Sequence, residues 1–245
     1  MWNQARQRAV EANFELPDFD VFWKEGPKDV LKAQDKKILL ETFRNDPQKN
    51  PLSTPSGKIE IFSDVIAGFR YDDCPGHPVW MEPFEWLGSK AAKNFPLHII
   101  SNQPSTRLHS QLDSGAVSKG SKINDREPMT MNPEDAASRG IRTGDIVKIF
   151  NDRGSCLAGV NLSENIMPGV IQLATGAWFD PAVPGEIGAL CKHGNPNVLT
   201  MDKGTSRLAQ GPTALSTLVE VEIFDDDIPT ITAHLPPTIS SWKED

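Results

Sequence analysis

The pattern of apolar and polar positions changes along the chain, from irregular in the first third to mostly β afterwards. Short apolar or alternating runs at LHIIS (97–101), GDIVKIFNDRGSCLAGVNL (144–162), MPGVIQLA (167–174) and TLVEVEIF (217–224) predict strands. The second run predicts a hairpin, because Asn-Asp-Arg-Gly supplies turn residues between its halves. Several short strands joined by long, glycine-containing loops are typical of a closed or nearly closed β-barrel.

Helical signals are confined to short segments. Apolar positions predict a helix within residues 1–26, which a Gly-Pro pair ends. In MNPEDAASRGI (131–141), Asn132 is the expected N-cap, Pro133 the first helical residue and Gly140 the terminator. The sequence therefore predicts an α+β protein that is mainly β with short helices.

The region before the first β run is harder to assign. The alternating stretch KIEIFS (58–63) predicts a further short strand, and its last residue, Ser63, is a suitable N-cap for the following DVIAGF. Residues 71–96 are irregular and rich in Pro and Trp, so no element is predicted there.

Turn-forming residues also indicate how the chain is divided. NDPQKNPLSTPSGK (45–58) contains three prolines and a glycine, which favours a boundary at this point. We expect an N-terminal helical appendage at residues 1–50, the β domain at residues 51–225 and an acidic, extended surface tail at residues 226–245.

Composition and charge exclude several classes of function. The chain has 245 residues, 38% of them hydrophobic and 24% charged, as in ordinary globular proteins. Its net charge of −8 gives no basic footprint for nucleic acid. The sequence contains no run of about 18 apolar residues, so no membrane span is predicted. The three cysteines form no CxxC pair and the five histidines are scattered, so no metal site is predicted.

The first candidate for chemistry is the loop SNQPSTRLHSQLDSG (101–115), which follows a predicted strand. Its hydrogen-bonding side chains are Ser101, Asn102, Gln103, Arg107, His109, Ser110 and Gln111. An arginine can pair with a phosphate, and amides can pair with the edge of a heterocycle. Lys119, Lys122 and Arg126 add local positive charge. The alternative is a solvated polar loop that is satisfied internally.

Two further loops carry related residues. LCKHGNPNVLTMDKGTSRLAQGPTA (190–214) contains His193, Asn195, Asn197 and Gln210, and its glycines would let a ligand approach the backbone closely. TGAWFDP (175–181) places two aromatic residues after a strand, for which core or rim packing is the alternative. Together the loops predict a site for a large, polar, phosphate-bearing heterocycle, without an evident nucleophile, acid or base.

Five motifs, in this order, resemble the C-terminal part of the molybdopterin-guanine-dinucleotide enzymes of the dimethyl sulfoxide, trimethylamine N-oxide and biotin sulfoxide reductase family. The motifs are TPSGKIEIFS (54–63), RLHSQL (107–112), MNPEDAASRGIRTGDIVKIFNDRGS (131–155), GAWFDP (176–181) and HGNPNVLTMDKGTSRLAQG (193–211). The resemblance covers essentially the whole chain. It implies a double-psi β-barrel that binds the cofactor.

The resemblance also implies which residues contact the cofactor, a molybdenum held by two molybdopterin guanine dinucleotides. Those residues are Ser101, Asn102, Arg107, His109, Ser110, Gln111, Asn195, Asn197 and Gln210. The reaction implied for the complete enzyme is oxygen-atom transfer from a small S-oxide or N-oxide, with the metal and its dithiolenes carrying the chemistry.

Members of this family are several hundred residues longer, and their molybdenum-ligating serine lies upstream of the matched region. We therefore expect a fragment that is inactive alone, whose partners are the remaining N-terminal domains, and whose residues 1–50 trail from a preceding domain. The alternatives are a formate dehydrogenase or nitrate reductase relative, or a non-catalytic binding or assembly module. The compartment, cytoplasm or periplasm, stays open.

Overall fold

The computed structural model describes residues 1–26, 38–213 and 215–236, and the chain divides into two compact units, Met1–Ile61 and Phe62–Asp245. Each unit has its own packing and is described separately. The domain boundaries expected at residues 50 and 225 stay a prediction.

The first unit contains three helices, α1 (Trp2–Glu11), α2 (Phe19–Glu25) and α3 (Glu41–Asn45). The ring of Trp2 lies 4.5 Å from that of Phe22, and the Trp2 indole donates to the carbonyl of Pro17 at 3.0 Å. The helix expected within residues 1–26 is therefore two helices folded against each other. Gly26, at φ 79°, ends the second one as predicted.

The second unit is built on six strands. They are β1 (Leu97–Ile100), β2 (Pro128–Met131), β3 (Ile146–Asn151), β4 (Gly154–Leu162), β5 (Val170–Leu173) and β6 (Leu218–Ile223). The strands close into a barrel in the order β1-β5-β2-β4-β3-β6. Short helices α4 (Asp64–Gly68), α5 (Ala116–Gly120) and α6 (Pro133–Ala137) and two 3₁₀ turns, Lys90–Lys93 and Pro196–Val198, lie in the connections.

The strand pairing has an internal two-fold pattern. Exchanging β1 with β4, β2 with β5 and β3 with β6 converts the parallel pair β1/β5 into the parallel pair β4/β2. The same exchange converts the antiparallel pair β1/β6 into β4/β3 and maps β2/β5 and β3/β6 onto themselves. The barrel thus consists of two interlocked halves of three strands, although no repeat is apparent in the sequence.

Inward-facing apolar side chains fill the barrel. Alternate residues of three strands are at most 1% exposed: Leu97, Ile99, Met129, Met131, Ile171 and Leu173. This period of two is the pattern that places one face of each strand inside. Removing large aliphatic side chains from water is the main term that holds such a barrel closed.

Most predicted elements are confirmed, including the four strand regions and the helix after Asn132, but β2 was not predicted. The Asn132 side chain accepts the N–H of Glu134 at 2.9 Å, and the Ser63 hydroxyl accepts the N–H of Ile66 at 3.3 Å, so both predicted N-caps form. The strand predicted at 58–63 is wrong. Ile59 and Ile61 are 66% and 79% exposed, and among the described residues no strand runs beside this stretch.

The described helices are all short, the longest having ten residues. None of them has the length and apolar character needed to cross a lipid bilayer.

Candidate functional site

Two of the polar loops leave the barrel at the same edge. β1 and β5 are parallel, with His98 opposite Val170 and Ile100 opposite Gln172. The segments that follow their carboxyl ends are therefore neighbours. The N–H of Thr175, just after β5, donates to the carbonyl of Asn102, just after β1, at 2.9 Å.

The first loop presents His109 and Ser110 at the tip of a tight turn. The N–H of Gln111 donates to the carbonyl of Leu108 at 2.9 Å, and His109 has a φ of 49°. Gly176 of the neighbouring loop lies directly against this turn, since a Cβ built on it would be 1.9 Å from the His109 carbonyl oxygen. Gly176 also has a φ of 95°, so both space and backbone conformation require glycine here.

The loop after residue 190 is held by a backbone hydrogen bond to Glu127 and by a side-chain cap within the loop. The carbonyl of His193 accepts the N–H of Glu127 at 3.1 Å. The Asn195 side chain accepts the N–H of Asn197 at 2.9 Å and so caps the 3₁₀ turn Pro196–Val198. This turn carries both asparagines to the same place as the tip of the first loop.

The three loops enclose a cavity of about 410 Å³. It is lined by His109, Ser110, residues 175–179, Asn195 and Asn197. Trp178 and Phe179 are 40% and 52% exposed, so they form part of its wall instead of the core. The volume lies within the usual range for small-molecule sites, and the lining combines aromatic rings with neutral hydrogen-bonding groups.

A buried network of charges supports the cavity from beneath. Arg107 Nη2 lies 3.1 Å from a Glu127 carboxylate oxygen, and Lys122 Nζ lies 2.6 Å from Glu127 and 2.8 Å from Asp113. All four side chains are at most 3% exposed. Two positive and two negative charges balance, as buried ions require.

Asp113 is the centre of this network. Its Oδ1 accepts from Lys122 and from the Ser118 hydroxyl, and its Oδ2 accepts from the Trp178 N–H at 3.1 Å and faces His234 Nε2 at 3.1 Å. Burial alone raises the pKa of the Asp113 carboxyl. The hydrogen bonds from Lys122, His234 and Trp178, together with the Lys122 charge, outweigh burial and hold that pKa well below its usual range.

His193 lies next to this centre and is fully buried. Burial and the nearby Lys122 charge lower its pKa to about 4, so the ring is neutral at pH 7. Its Nδ1 lies 3.1 Å from the Trp178 carbonyl, an acceptor, so Nδ1 carries the proton. Nε2 is then an acceptor, and it is buried without a partner among the described residues.

Asp113, His193 and His234 have ligand atoms within 4.8 Å of one another, a spacing that could hold a metal ion. However, Lys122 Nζ at 2.8 Å and Arg107 Nε at 3.4 Å already contact the Asp113 carboxylate. Two cations at this distance oppose the binding of a third. The arrangement therefore favours a structural role for Asp113.

Of the residues predicted to contact a ligand, four line the cavity together: His109, Ser110, Asn195 and Asn197. Asn102 lines a separate cavity of about 220 Å³, and its Oδ1 is buried without a partner among the described residues. Ser101 follows β1 and is half-buried but lines neither cavity. Gln111 and Gln210 are exposed and also lie outside both linings.

Arg107 and the other predicted cations do not form a positive surface. The Arg107 and Lys122 side chains are at most 2% exposed and are paired with carboxylates, and Arg126 is 3% exposed and donates to the carbonyl of Asn124 at 2.7 Å. Of this set only Lys119 is exposed. A direct contact of Arg107 with a ligand stays a prediction.

A depression of about 1010 Å³ in the second unit lies along β6 and contains none of the predicted site residues. Two ion pairs cross it, Arg139–Glu220 at 2.8 Å and Lys148–Glu222 at 3.1 Å. Its charged walls thus largely satisfy each other. The loop cavity has the stronger chemical case because three separate segments bring polar groups to it.

Fold and cavity together define the class: a closed six-stranded barrel with a polar, loop-built cavity at the carboxyl edge of its parallel pair β1/β5. A solved structure, acetylene hydratase from Pelobacter acetylenicus, has the same fold over 73% of this chain and 25% of its own, with a TM-score of 0.56 and 20% identity. The double-psi β-barrel implied by the resemblance is confirmed.

The model of the family described as "Molydopterin dinucleotide binding domain" matches residues 97–218, from the first residue of β1 to the first of β6. The trimethylamine-N-oxide reductase of Salmonella typhi is 44% identical over 239 residues, and the dimethyl sulfoxide/trimethylamine N-oxide reductase of Rhodobacter capsulatus is 44% identical over 237. Residues 97–218 thus form a molybdopterin dinucleotide-binding domain, and the chain is homologous to the C-terminal part of these reductases.

The match covers 97% of this chain but only 28% of the Salmonella protein, and 96% of this chain but 29% of the Rhodobacter protein. The chain therefore spans less than a third of the length of these relatives. The rest of each relative consists of protein that has no counterpart in this sequence.

Proposed function

We propose that the loop cavity binds the pterin of a molybdopterin guanine dinucleotide, and that the complete protein is an S-oxide or N-oxide reductase holding molybdenum between two such dinucleotides. The observation that carries this proposal is the meeting of two turns in one cavity, His109–Ser110 from the first loop and Asn195–Asn197 from the second. The match to the dinucleotide-binding domain family and 44% identity to the reductases support it.

The chemistry of the lining fits a pterin. A pterin is a flat heterocycle whose edge carries alternating donors and acceptors, and asparagine amides, an imidazole and a hydroxyl can pair with both kinds. The exposed rings of Trp178 and Phe179 offer apolar surface beside these groups. His109, Ser110, Asn195 and Asn197 would hold the heterocycle. Ser101, Asn102, Gln111 and Gln210 would contact the remainder of the dinucleotides, and Arg107 would hold the surrounding loops in place.

In the complete enzyme the bound cofactor would supply oxygen-atom transfer. The cavity lining contains no carboxylate, lysine or cysteine. We assign its imidazole and hydroxyl groups, on His109 and Ser110, to binding and orienting the cofactor. A buried hydrogen bond contributes about 1 kcal/mol, and several of them aligned by rigid turns fix one orientation.

The remaining domains of the enzyme are the proposed protein partner. Several large apolar side chains lie exposed in the segment before β1: Trp80, Phe84 and Trp86 are 84%, 67% and 39% exposed. Exposed aromatic groups concentrated in one segment mark contact sites. The length of the relatives beyond the matched region gives this surface a natural occupant.

The test measures binding of molybdopterin guanine dinucleotide to the purified chain by equilibrium dialysis. We expect measurable binding, a loss of affinity of at least about tenfold in Asn197→Leu, and no change in Asn161→Leu. Asn161 is a matched control because it is also an exposed asparagine, on β4, and lies outside the cavity. Equal affinities of the two variants, or no binding by the parent chain, would refute the proposed site.

A second measurement addresses the reaction. The chain alone, supplied with cofactor, is expected to reduce neither trimethylamine N-oxide nor dimethyl sulfoxide. Co-production with the part of a trimethylamine-N-oxide reductase that lies outside the matched region should yield a molybdenum-containing complex. We expect this complex to reduce both substrates. Turnover by the chain alone would contradict the division of roles proposed above.

A further inference from the structure

We propose that the C-terminal segment Pro229–His234, here called the strap, holds the loops of the cavity in place, and that His234 is a positioning residue for the bound pterin. This inference rests on the proposed function but concerns residues that neither the loop motifs nor the family match at 97–218 include. The strap has no strand or helix of its own. Its contacts are instead to buried side chains beneath the cavity.

The first contacts are to two buried cations. The Arg126 guanidinium donates to the carbonyl of Pro229. Lys192 Nζ donates to the carbonyl of Thr230 at 3.1 Å and to the Thr232 hydroxyl at 2.8 Å. Lys192 immediately precedes His193 in the second loop, so these bonds tie the strap to the base of the segment that carries the two asparagines.

The middle of the strap is held by Asp180, which directly follows Phe179 in the cavity wall. One carboxylate oxygen of Asp180 accepts the N–H groups of Thr232 and Ala233 at 2.7 and 3.0 Å, and the other accepts the Thr232 hydroxyl at 2.5 Å. Asp180 is only 4% exposed. A buried carboxylate needs such donors, so the strap and this wall stabilise each other.

The end of the strap reaches the centre of the charge network. His234 Nε2 lies 3.1 Å from Asp113 Oδ2, the oxygen that also accepts the Trp178 N–H. The His234 ring packs edge-on against Trp178 and His193, with centroids 5.5 and 4.9 Å apart. His234 therefore fixes the Trp178 backbone through Asp113 and the Trp178 ring by direct packing.

Through these contacts His234 supports two parts of the cavity wall, Trp178 and the tip of the first loop. Trp178 lines the cavity and its indole donates to the carbonyl of Ser110 at 2.9 Å, so a shift of Trp178 also moves the tip of the first loop. His234 does not line the cavity itself. Its effect on a ligand is thus indirect, through the position of Trp178.

The experiment compares the full chain with His234→Ala, His234→Gln and Leu235→Ala. Gln retains a donor nitrogen at about the position of Nε2, and Leu235, which is 63% exposed, is the adjacent control. Amide hydrogen exchange of the peptide covering residues 176–181 reports the cavity wall. Dialysis with molybdopterin guanine dinucleotide reports binding.

We expect exchange in residues 176–181 to be at least about tenfold faster in His234→Ala, with a parallel loss of dinucleotide affinity. Both should return to within about threefold of the parent in His234→Gln and stay unchanged in Leu235→Ala. Unchanged exchange in His234→Ala overturns the strap, and faster exchange with undiminished binding overturns the positioning role. If the parent chain binds no dinucleotide, the proposed function fails, and the exchange result still decides whether the strap holds the wall.

Discussion

Arg107 and Thr175 join two walls of the cavity, because the Arg107 guanidinium donates to the Thr175 carbonyl at 2.8 Å. The same side chain donates to the His109 carbonyl at 3.2 Å and to the Ser118 hydroxyl at 3.3 Å, and it faces Glu127 at 3.1 Å. A residue that sequence motifs assign to the ligand is thus a brace between the loops that surround it.

This bracing predicts that Arg107→Lys is not a conservative change. Lysine carries a single nitrogen and cannot reach the carbonyls of His109 and Thr175 together with Glu127. We expect a loss of about 2–4 kcal/mol in the free energy of unfolding, measured by urea denaturation. The exposed Arg142 provides the control, and Arg142→Lys should change stability by less than about 0.5 kcal/mol. Similar stabilities of the two variants would show that the brace contributes little.

Gly176 allows a test of the close approach between the first loop and the β5 loop. Alanine at 176 would place a Cβ 1.9 Å from the His109 carbonyl oxygen, whereas at Gly185, which also has a positive φ, a Cβ meets no atom within 4 Å. Gly185→Ala should therefore cost only the backbone term of about 1–2 kcal/mol. Gly176→Ala should cost clearly more and reduce dinucleotide affinity.

Thermal or urea unfolding of both glycine variants measures this difference directly. Because the positive φ is common to both positions, the excess loss in Gly176→Ala isolates the contact with His109. If Gly185→Ala proves as destabilising as Gly176→Ala, the loops can separate without penalty, and the packing described for the turn is not important for stability.

The buried carboxylate of Asp113 predicts loss of stability in acid. Its native pKa lies below the unfolded value of about 3.9, so its ionised form stabilises the fold above that pH, and this contribution is lost as the pH falls further. Asp113→Asn should lower stability at pH 7 by about 3–5 kcal/mol, since Lys122 and Arg107 lose a partner. As the pH is lowered from 7 to 3, the urea midpoint of this variant should decrease less than that of the parent chain.

The exposed turn residue Asp152 is the control for the acid measurement. Asp152→Asn should leave both the stability at pH 7 and its pH dependence close to those of the parent chain. An Asp113→Asn variant with the parent's pH dependence would mean that other carboxylates cause the acid transition.

His193 gives a prediction in a different pH window. Its native pKa of about 4 lies below the unfolded value of about 6.5, so the unfolded chain takes up a proton first, and stability falls as the pH decreases from about 6.5 to 4. Nitrogen NMR of the imidazole should show a neutral ring with the proton on Nδ1 throughout pH 8 to 6. Titration of this ring above pH 6 would contradict the buried, neutral state.

Five of the six strands were predictable because their signal is local, whereas β2 was not predicted. The hairpin and the helix after Asn132 follow from residues that are neighbours in the sequence, namely an alternating run, a turn and an N-cap. The run at 58–63 has the same alternation, but Ile59 and Ile61 are exposed. Alternation describes a strand only where another strand is available to pair with it, which local sequence does not record.

The support of the cavity was not predictable for the opposite reason. Trp178 and His234 lie 65 and 121 positions after Asp113 along the chain, and only the folded barrel brings the three residues together. The sequence placed residues 226–245 on the surface as an extended tail. That description fits the lack of regular structure in residues 226–236 but misses the hydrogen bonds of the strap, which depend on buried partners far away.

The closed order of the strands has a consequence for how this protein can associate. Every one of the six strands has a neighbour on both sides, so the barrel offers no unpaired main-chain edge to an incoming strand. Sheet extension, a common route to both specific assembly and amyloid-like aggregation, is closed to it. Stable association of the barrel with another polypeptide must then use side-chain surfaces, and the six-stranded barrel stays closed.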